Sequence, residues 1–261
     1  MEDIKRAIHA VRTGPRGGTP IVLVHPVGLD LGYWSAQVEA LGRTHDVVTY
    51  DLPGHGRSPG GPEDWSFDQA AEVLANLVRD TDAGPAHLVG LSVGGMIAQA
   101  TALAHPDLVT SLSLIGTAAS FPEAGRAAIR ARAQATRDGG MGAMLQSSLA
   151  RWFSPDTMAQ QPALIDRVTR TFLANDPAIH AAMWDMIAEL DFTAEISRIA
   201  CPTLVLVGEL DPSTPPATAR FLAETIPGAE LHIIPGASHM VPFEQPEAVN
   251  DHLLRFLVGL G

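Results

Sequence analysis

Short runs of consecutive apolar residues alternate along this chain with longer stretches in which apolar positions recur every three or four residues. Ile21-Val22-Leu23-Val24, bounded by Pro20 and Pro26, reads as a strand buried on both faces. Val47-Val48-Thr49-Tyr50 reads as the next, and residues 86–91, 108–115, 203–207 and 231–234 repeat the pattern. Between these runs the spacing predicts helices over 33–41, 66–80 and 93–104, the second with Ser66 as its cap and Gln69 as the capping-box partner. A helix over 214–225 has Pro215 and Pro216 in its first turn, where a missing N–H costs little. The last, over 245–257, begins with Pro246 and carries Val249, Leu253, Phe256 and Leu260 as one apolar stripe.

Strand and helix in alternation, with uninterrupted apolar strands, predict an α/β fold: a mostly parallel sheet with helices on both faces. There is room for only one strand before Ile21. In open sheets of this kind ligands bind beyond the carboxyl ends of the strands, so chemistry is sought in the residues that follow each strand. One stretch breaks the alternation. Residues 117–198 hold no convincing strand and are rich in Ala, Met and Arg at helical spacing. They are expected to form a helical lid inserted into a core made of 1–116 and 199–261.

Composition narrows the function classes. The formal net charge of −12 repels phosphate backbones and anionic lipid, so neither nucleic acid nor a membrane is an expected partner. The opening MEDIKRAIHA has no apolar signal-peptide core, and no run approaches the ~18 apolar residues of a membrane span. Cys201 is the single cysteine, so no disulfide framework exists, and a cytoplasmic location is expected. A homo-oligomer is left open.

Gly90-Leu91-Ser92-Val93-Gly94-Gly95 follows an apolar strand and opens a helix. A serine presented on so sharp a strand-to-helix turn needs glycine on both sides to avoid collision, and the helix N-terminus favours negative charge nearby. Ser92 is therefore the candidate nucleophile. Its hydroxyl needs a base. His239, in the turn Pro235-Gly236-Ala237-Ser238-His239 after the last strand, is so placed, whereas His232 lies inside that strand. The base needs a carboxylate to fix its tautomer. Asp211 and Glu209 both follow the strand ending at Val207; Asp211, deeper in the turn and before Pro212, is preferred. The backbone N–H groups of Val93 and Val27 are the expected donors to a developing oxyanion, Pro26 having none to offer. His25, Gly28, Trp152, Met183 and Met240 are the expected substrate-binding residues. Arg126, Arg130 and Arg137 share one helical face, solvated or attracting an anionic substrate, and Arg132 points elsewhere.

Tyr50-Asp51-Leu52-Pro53-Gly54-His55-Gly56-Arg57-Ser58, the turn around Ser92, Asp211-Pro212 and Gly236-Ala237-Ser238-His239 together resemble the α/β-hydrolase superfamily over nearly the whole chain. Gly139-Gly140-Met141, Arg151-Trp152-Phe153-Ser154-Pro155 and Asp211-Pro212-Ser213-Thr214-Pro215-Pro216 resemble most the 3-oxoadipate enol-lactonase group. The resemblance implies a serine esterase or lactonase that uses Ser92, Asp211 and His239 and no cofactor or metal, on a small-molecule ester or lactone. The sequence departs from that group at His25-Pro26-Val27-Gly28, where the group reads Asn-Ser-Leu-Gly, and at Ile187-Ala188-Glu189-Leu190-Asp191, which lacks the group's arginine. A carbon–carbon bond hydrolase or perhydrolase would use the same three residues, and a ligand receptor on this fold would turn over little.

Overall fold

A computed structural model describes residues 8–60 and 64–260. The start of the N-terminal segment and Pro62, the expected end of the loop after the second apolar strand, lie outside the described residues. The apolar runs form strands as expected: β2 (Ile21–Val24), β3 (Val47–Tyr50), β4 (Ala86–Leu91), β5 (Val109–Ile115), β6 (Thr203–Gly208) and β7 (Glu230–Ile234). Among the described residues one strand precedes Ile21, β1 (Ala10–Thr13). Together they make a seven-stranded sheet in the order β1-β3-β2-β4-β5-β6-β7. Only β1 runs antiparallel, against β3; all other neighbours are parallel.

Alternation within each strand divides the core. Val22 and Val24 of β2 join one apolar cluster and Ile21 and Leu23 the other. The first face is covered by α2 (Phe67–Arg79) and α3 (Val93–Ala104) through Leu74, Met96 and Ile97, and by Leu222 of α8 (Pro216–Thr225). The second is covered by α1 (Ser35–Leu41) through Leu41 and by α10 (Pro246–Val258) through Val249, Leu253 and Phe256. The capping box predicted before α2 is present: Gln69 N–H donates to Ser66 Oγ at 3.2 Å and Ser66 N–H to Gln69 Oε1 at 2.9 Å.

Some boundaries differ from the sequence expectation. The predicted helix over 33–41 is a 3-10 turn, Leu31–Trp34, running into α1. The helix expected from residue 214 begins at Pro216, because the Asp211 side chain holds the N–H groups of Ser213 and Thr214 in a turn. A short helix, α9 (Val241–Glu244), precedes α10 and was not anticipated.

Four helices lie between β5 and β6: α4 (Glu123–Trp152), α5 (Pro155–Gln160), α6 (Pro162–Leu173) and α7 (Pro177–Ala188). α4 is broken at Gly140, whose φ of 67° and ψ of −173° are non-helical. Arg126, Arg130 and Arg137 of α4 each pair with a carboxylate on or just after α7: Asp191 at 3.3 Å, Glu189 at 2.9 Å, and Asp185. The basic face read from the sequence is thus neutralised within the molecule. No helix among the described residues is long and apolar enough to cross a membrane.

Candidate active site

The strand order reverses around β2, which lies between β3 and β4, so a crevice opens at the carboxyl ends of β2 and β4. Ser92 sits there, between β4 and α3, with φ 56° and ψ −120°. A positive φ is rare for a residue with a Cβ and has to be held by its surroundings. Here Ser92 N–H donates to Ile115 C=O at 3.0 Å, while Ser92 C=O accepts from Met96 N–H at 3.1 Å and Thr117 Oγ1 at 2.8 Å. The flanking glycines are required sterically. A Cβ on Gly90 would lie 2.3 Å from Gly94 O, and one on Gly94 would lie 2.1 Å from Val24 O.

His239 and Asp211 are buried, and the Asp211 carboxylate is shared among four donors. Oδ1 accepts the N–H groups of Ser213 at 2.7 Å and Thr214 at 3.0 Å. Oδ2 accepts Thr214 Oγ1–H at 2.8 Å and meets His239 Nδ1 at 2.8 Å. Burial, the largest single influence, pushes the Asp211 pKa up. The charge and hydrogen bond of His239 and the two bonds from Thr214 outweigh it and hold the carboxyl below its ordinary range. Glu209, the other carboxylate in this turn, instead accepts Gly236 N–H at 3.1 Å. Thr214 was not singled out in the sequence, although a threonine three residues after an aspartate is a recognisable turn signal.

Ser92 and His239 line one narrow cavity of about 40 Å³ together with Val27, Trp152, Trp184 and Thr214. Val93 is the first residue of α3, so its N–H lies at a helix N-terminus beside Ser92. The loop carrying Val27 is braced from below. Gly28 N–H donates to His55 Nε2 at 3.1 Å, and Gly28 C=O accepts Asn175 Nδ2–H at 2.9 Å. His25 Nε2 accepts Leu52 N–H at 2.9 Å, leaving Nδ1 to donate to Pro26 C=O at 2.8 Å. Burial pushes His25 down to about 4 and His55 to about 3, so both rings are neutral supports.

Of the five expected substrate-binding residues, only Trp152 lines the cavity. His25 and Gly28 shape the loop, because their polar groups are spent on backbone and ring partners. Met183 and Met240 are buried in apolar clusters.

Two arginines that the sequence reading left out of the site do line it: Arg132 and Arg151. Their Cζ atoms lie 5.5 and 5.9 Å from the Trp184 ring centroid. Among the described residues neither makes a salt bridge; Arg151 Nε donates only to Ser147 C=O, at 3.2 Å. Burial pushes the Arg151 pKa down to about 10, aided by repulsion from Arg132 and opposed by the charge of Asp211. Burial also lowers Arg132. Helical spacing showed that Arg132 leaves the face of its three neighbours, but where it goes depends on how α4 crosses α7. No cluster of three or more His, Cys, Asp or Glu that could hold a metal occurs among the described residues.

A sequence model of the alpha/beta hydrolase family matches residues 21–252, and the chain belongs to that family. It is 29% identical over 246 residues to 3-oxoadipate enol-lactonase 2 of Acinetobacter baylyi, covering 94% of this chain and 90% of that protein. It is 36% identical over 250 residues to the pimeloyl-[acyl-carrier protein] methyl ester esterase of Chromobacterium violaceum, covering 90% and 94%. Among solved structures, a malate-bound thermophilic esterase from Thermogutta terrifontis superposes with a TM-score of 0.90 at 32% identity, covering 97% of this chain and 93% of the other. Like these relatives, the chain is a hydrolase.

Proposed function

We propose that the chain is a cofactor-free serine hydrolase that cleaves a small carboxylic ester or lactone through an acyl-enzyme on Ser92, and that its substrate carries an anionic group seated on Arg132 and Arg151. The observation that carries this reading is the lining of a single cavity by Ser92, His239, Val27 and two guanidinium groups that make no salt bridge among the described residues.

In this mechanism Ser92 Oγ attacks the substrate carbonyl as its proton passes to His239 Nε2. Asp211 keeps the other ring nitrogen protonated and stabilises the imidazolium. The N–H groups of Val27 and Val93 receive the oxyanion. The tetrahedral intermediate collapses by breaking the bond to the leaving oxygen, which takes the proton from His239. In a lactone that oxygen stays tethered to the acyl group. Water then attacks the acyl-enzyme as His239 accepts its proton; the bond between Ser92 Oγ and the acyl carbon breaks, and His239 returns the proton to Ser92 Oγ.

The anionic part rests on an energetic argument. Two neighbouring, largely desolvated cations repel each other and are stabilised by a bound anion. The chain as a whole is strongly acidic, so this local pair also gives an anionic substrate a favourable place to dock. The enol-lactonase relative and the malate-bound esterase fit this reading. The helices between β5 and β6 would serve as the lid. A cavity of about 40 Å³ is well below the roughly 300–1,000 Å³ of typical ligand pockets, so substrate admission requires its walls to move.

The test compares monomethyl succinate with methyl butyrate on the wild type, R132Q and R151Q. The charged ester is expected to be preferred. Each substitution is expected to lower kcat/KM for it by about 10- to 100-fold, the range for a lost hydrogen bond to a charged group, and to leave the neutral ester nearly unaffected. Equal losses on both esters would remove the anionic assignment.

A further inference from the structure

Glu244 is buried and takes no part in the proton transfers above, yet its carboxylate joins two segments that border the site. Oε1 accepts the N–H of Ser154 at 2.7 Å, just past the end of α4. Oε2 accepts the N–H of Ser238 at 2.5 Å, reaching back from α9 across the turn that carries His239. On the other side of His239, Met240 N–H donates to Trp152 C=O at 2.9 Å. Both neighbours of the imidazole-bearing residue are therefore tied, one through Glu244 and one directly, to the exit of α4. The last two residues of α4, Arg151 and Trp152, are walls of the cavity.

Hydrogen bonds from N–H groups to a carboxylate are the stronger kind, and here each oxygen serves a different segment. A carboxylate is acceptor-only. A glutamine at this position would satisfy one N–H and turn an NH₂ donor toward the other. The arrangement thus depends on charge and on two acceptors, beyond the filling of space.

We propose that Glu244 is a positioning residue that fixes His239 relative to the Arg151–Trp152 wall, so that the base and the substrate seat are held as one unit. This rests on the serine-hydrolase reading. It extends that reading by giving a role to a residue remote in sequence from Ser92 that contacts no reacting atom.

The backbone offers a second way to cut the same link. Ser154 has φ −64° and follows Phe153 with φ −120° and ψ 146°, values that proline and its preceding residue adopt without strain. S154P removes the N–H that Glu244 accepts, together with the Ser154 side chain that caps α5. S154A removes only the cap. Wild type, E244Q, S154P and S154A are compared below their melting temperatures. The readouts are kcat and KM for 4-nitrophenyl acetate and the rate at which a fluorophosphonate labels Ser92. E244Q is expected to fall below wild type, and S154P below S154A, by about 10- to 100-fold in both kcat and labelling rate, with KM nearly constant, as for a displaced reacting group.

Variants that melt lower but keep wild-type kcat and labelling rate while folded would show a merely structural carboxylate and overturn the proposal. If one variant fails to fold, the other still decides. A wild type that neither turns over the ester nor labels at Ser92 would instead overturn the serine-hydrolase reading, and this proposal with it.

Discussion

Asp211 Oδ2 lies 2.8 Å from His239 Nδ1, and both groups are buried. The same carboxylate accepts two backbone N–H groups and the Thr214 hydroxyl, so its orientation is fixed independently of the imidazole. A carboxylate so held favours the Nδ1–H tautomer and leaves Nε2 free to accept a proton.

D211N is therefore expected to fold normally and lose activity. The amide cannot support an imidazolium and can turn a donor toward Nδ1. A drop in kcat of about 10⁴-fold is expected, the size seen for the equivalent change in the serine-protease template. Circular dichroism and steady-state kinetics on the same preparation check this. A variant within tenfold of wild type would remove Asp211 from the mechanism.

The Arg132–Arg151 pair predicts a gain in stability when one charge is removed. R132M takes away a half-buried cation that makes no salt bridge among the described residues, while keeping a flexible apolar side chain against Trp184. It is expected to be neutral or up to about 2 kcal/mol more stable than wild type. Succinate should raise the wild-type melting temperature by binding the folded state, and R132M should lose most of that rise. Thermal melts with and without succinate test both points. An equal succinate shift in R132M would contradict the anion seat.

Much of the candidate site was legible in the sequence because Ser92, Asp211 and His239 each follow an apolar run, and parallel strands deliver such positions to one edge of the sheet. The capping box before α2 and the apolar stripe of α10 were legible for the same local reason: each is set by residues a few positions apart. Arg132 and Arg151 were not, because their partner, Trp184, lies on another helix and the meeting depends on how α4 and α7 cross. His25 looked like a site residue from its place after β2. Only the fold shows that Leu52 N–H and Pro26 C=O occupy its nitrogens. Glu244 was hidden in a short helix whose existence depends on the turn it closes.

The buried histidines predict loss of stability in mild acid. Burial pushes His25 to about 4, and His55 and His180 to about 3. A histidine with a lowered folded pKa binds fewer protons folded than unfolded. Its stability contribution is complete above about pH 6.5 and falls away as pH drops toward the folded value, by at most about 1.4 kcal/mol per pH unit for each ring. Asp46 and Asp211, held low, lose their contributions only below about pH 4, so they do not contribute between pH 7.5 and 5.5. His180 is the sharpest probe, because neither ring nitrogen has a hydrogen-bond partner among the described residues and the ring packs edge-on against Phe172. H180L is expected to be at least as stable as wild type at pH 7.5 and to lose less on acidification. Urea unfolding at the two pH values measures this; an unchanged slope would contradict it.

Gly94 predicts a steric effect on the serine turn. G94A would drive a Cβ to 2.1 Å from Val24 O, against backbone that cannot rotate away. A loss of about 1–3 kcal/mol or more is expected, with Ser92 displaced. A G94A protein with wild-type melting temperature and activity would contradict the close packing of α3 on β2.

Intact-mass analysis of wild type and S92A after incubation with a fluorophosphonate tests the central claim most directly. One adduct per chain is expected in the wild type, mapping to Ser92 on digestion, and none in S92A. A folded wild type that remains unmodified, or an S92A protein that gains the same adduct at the same rate, would contradict the assignment of Ser92 as the nucleophile.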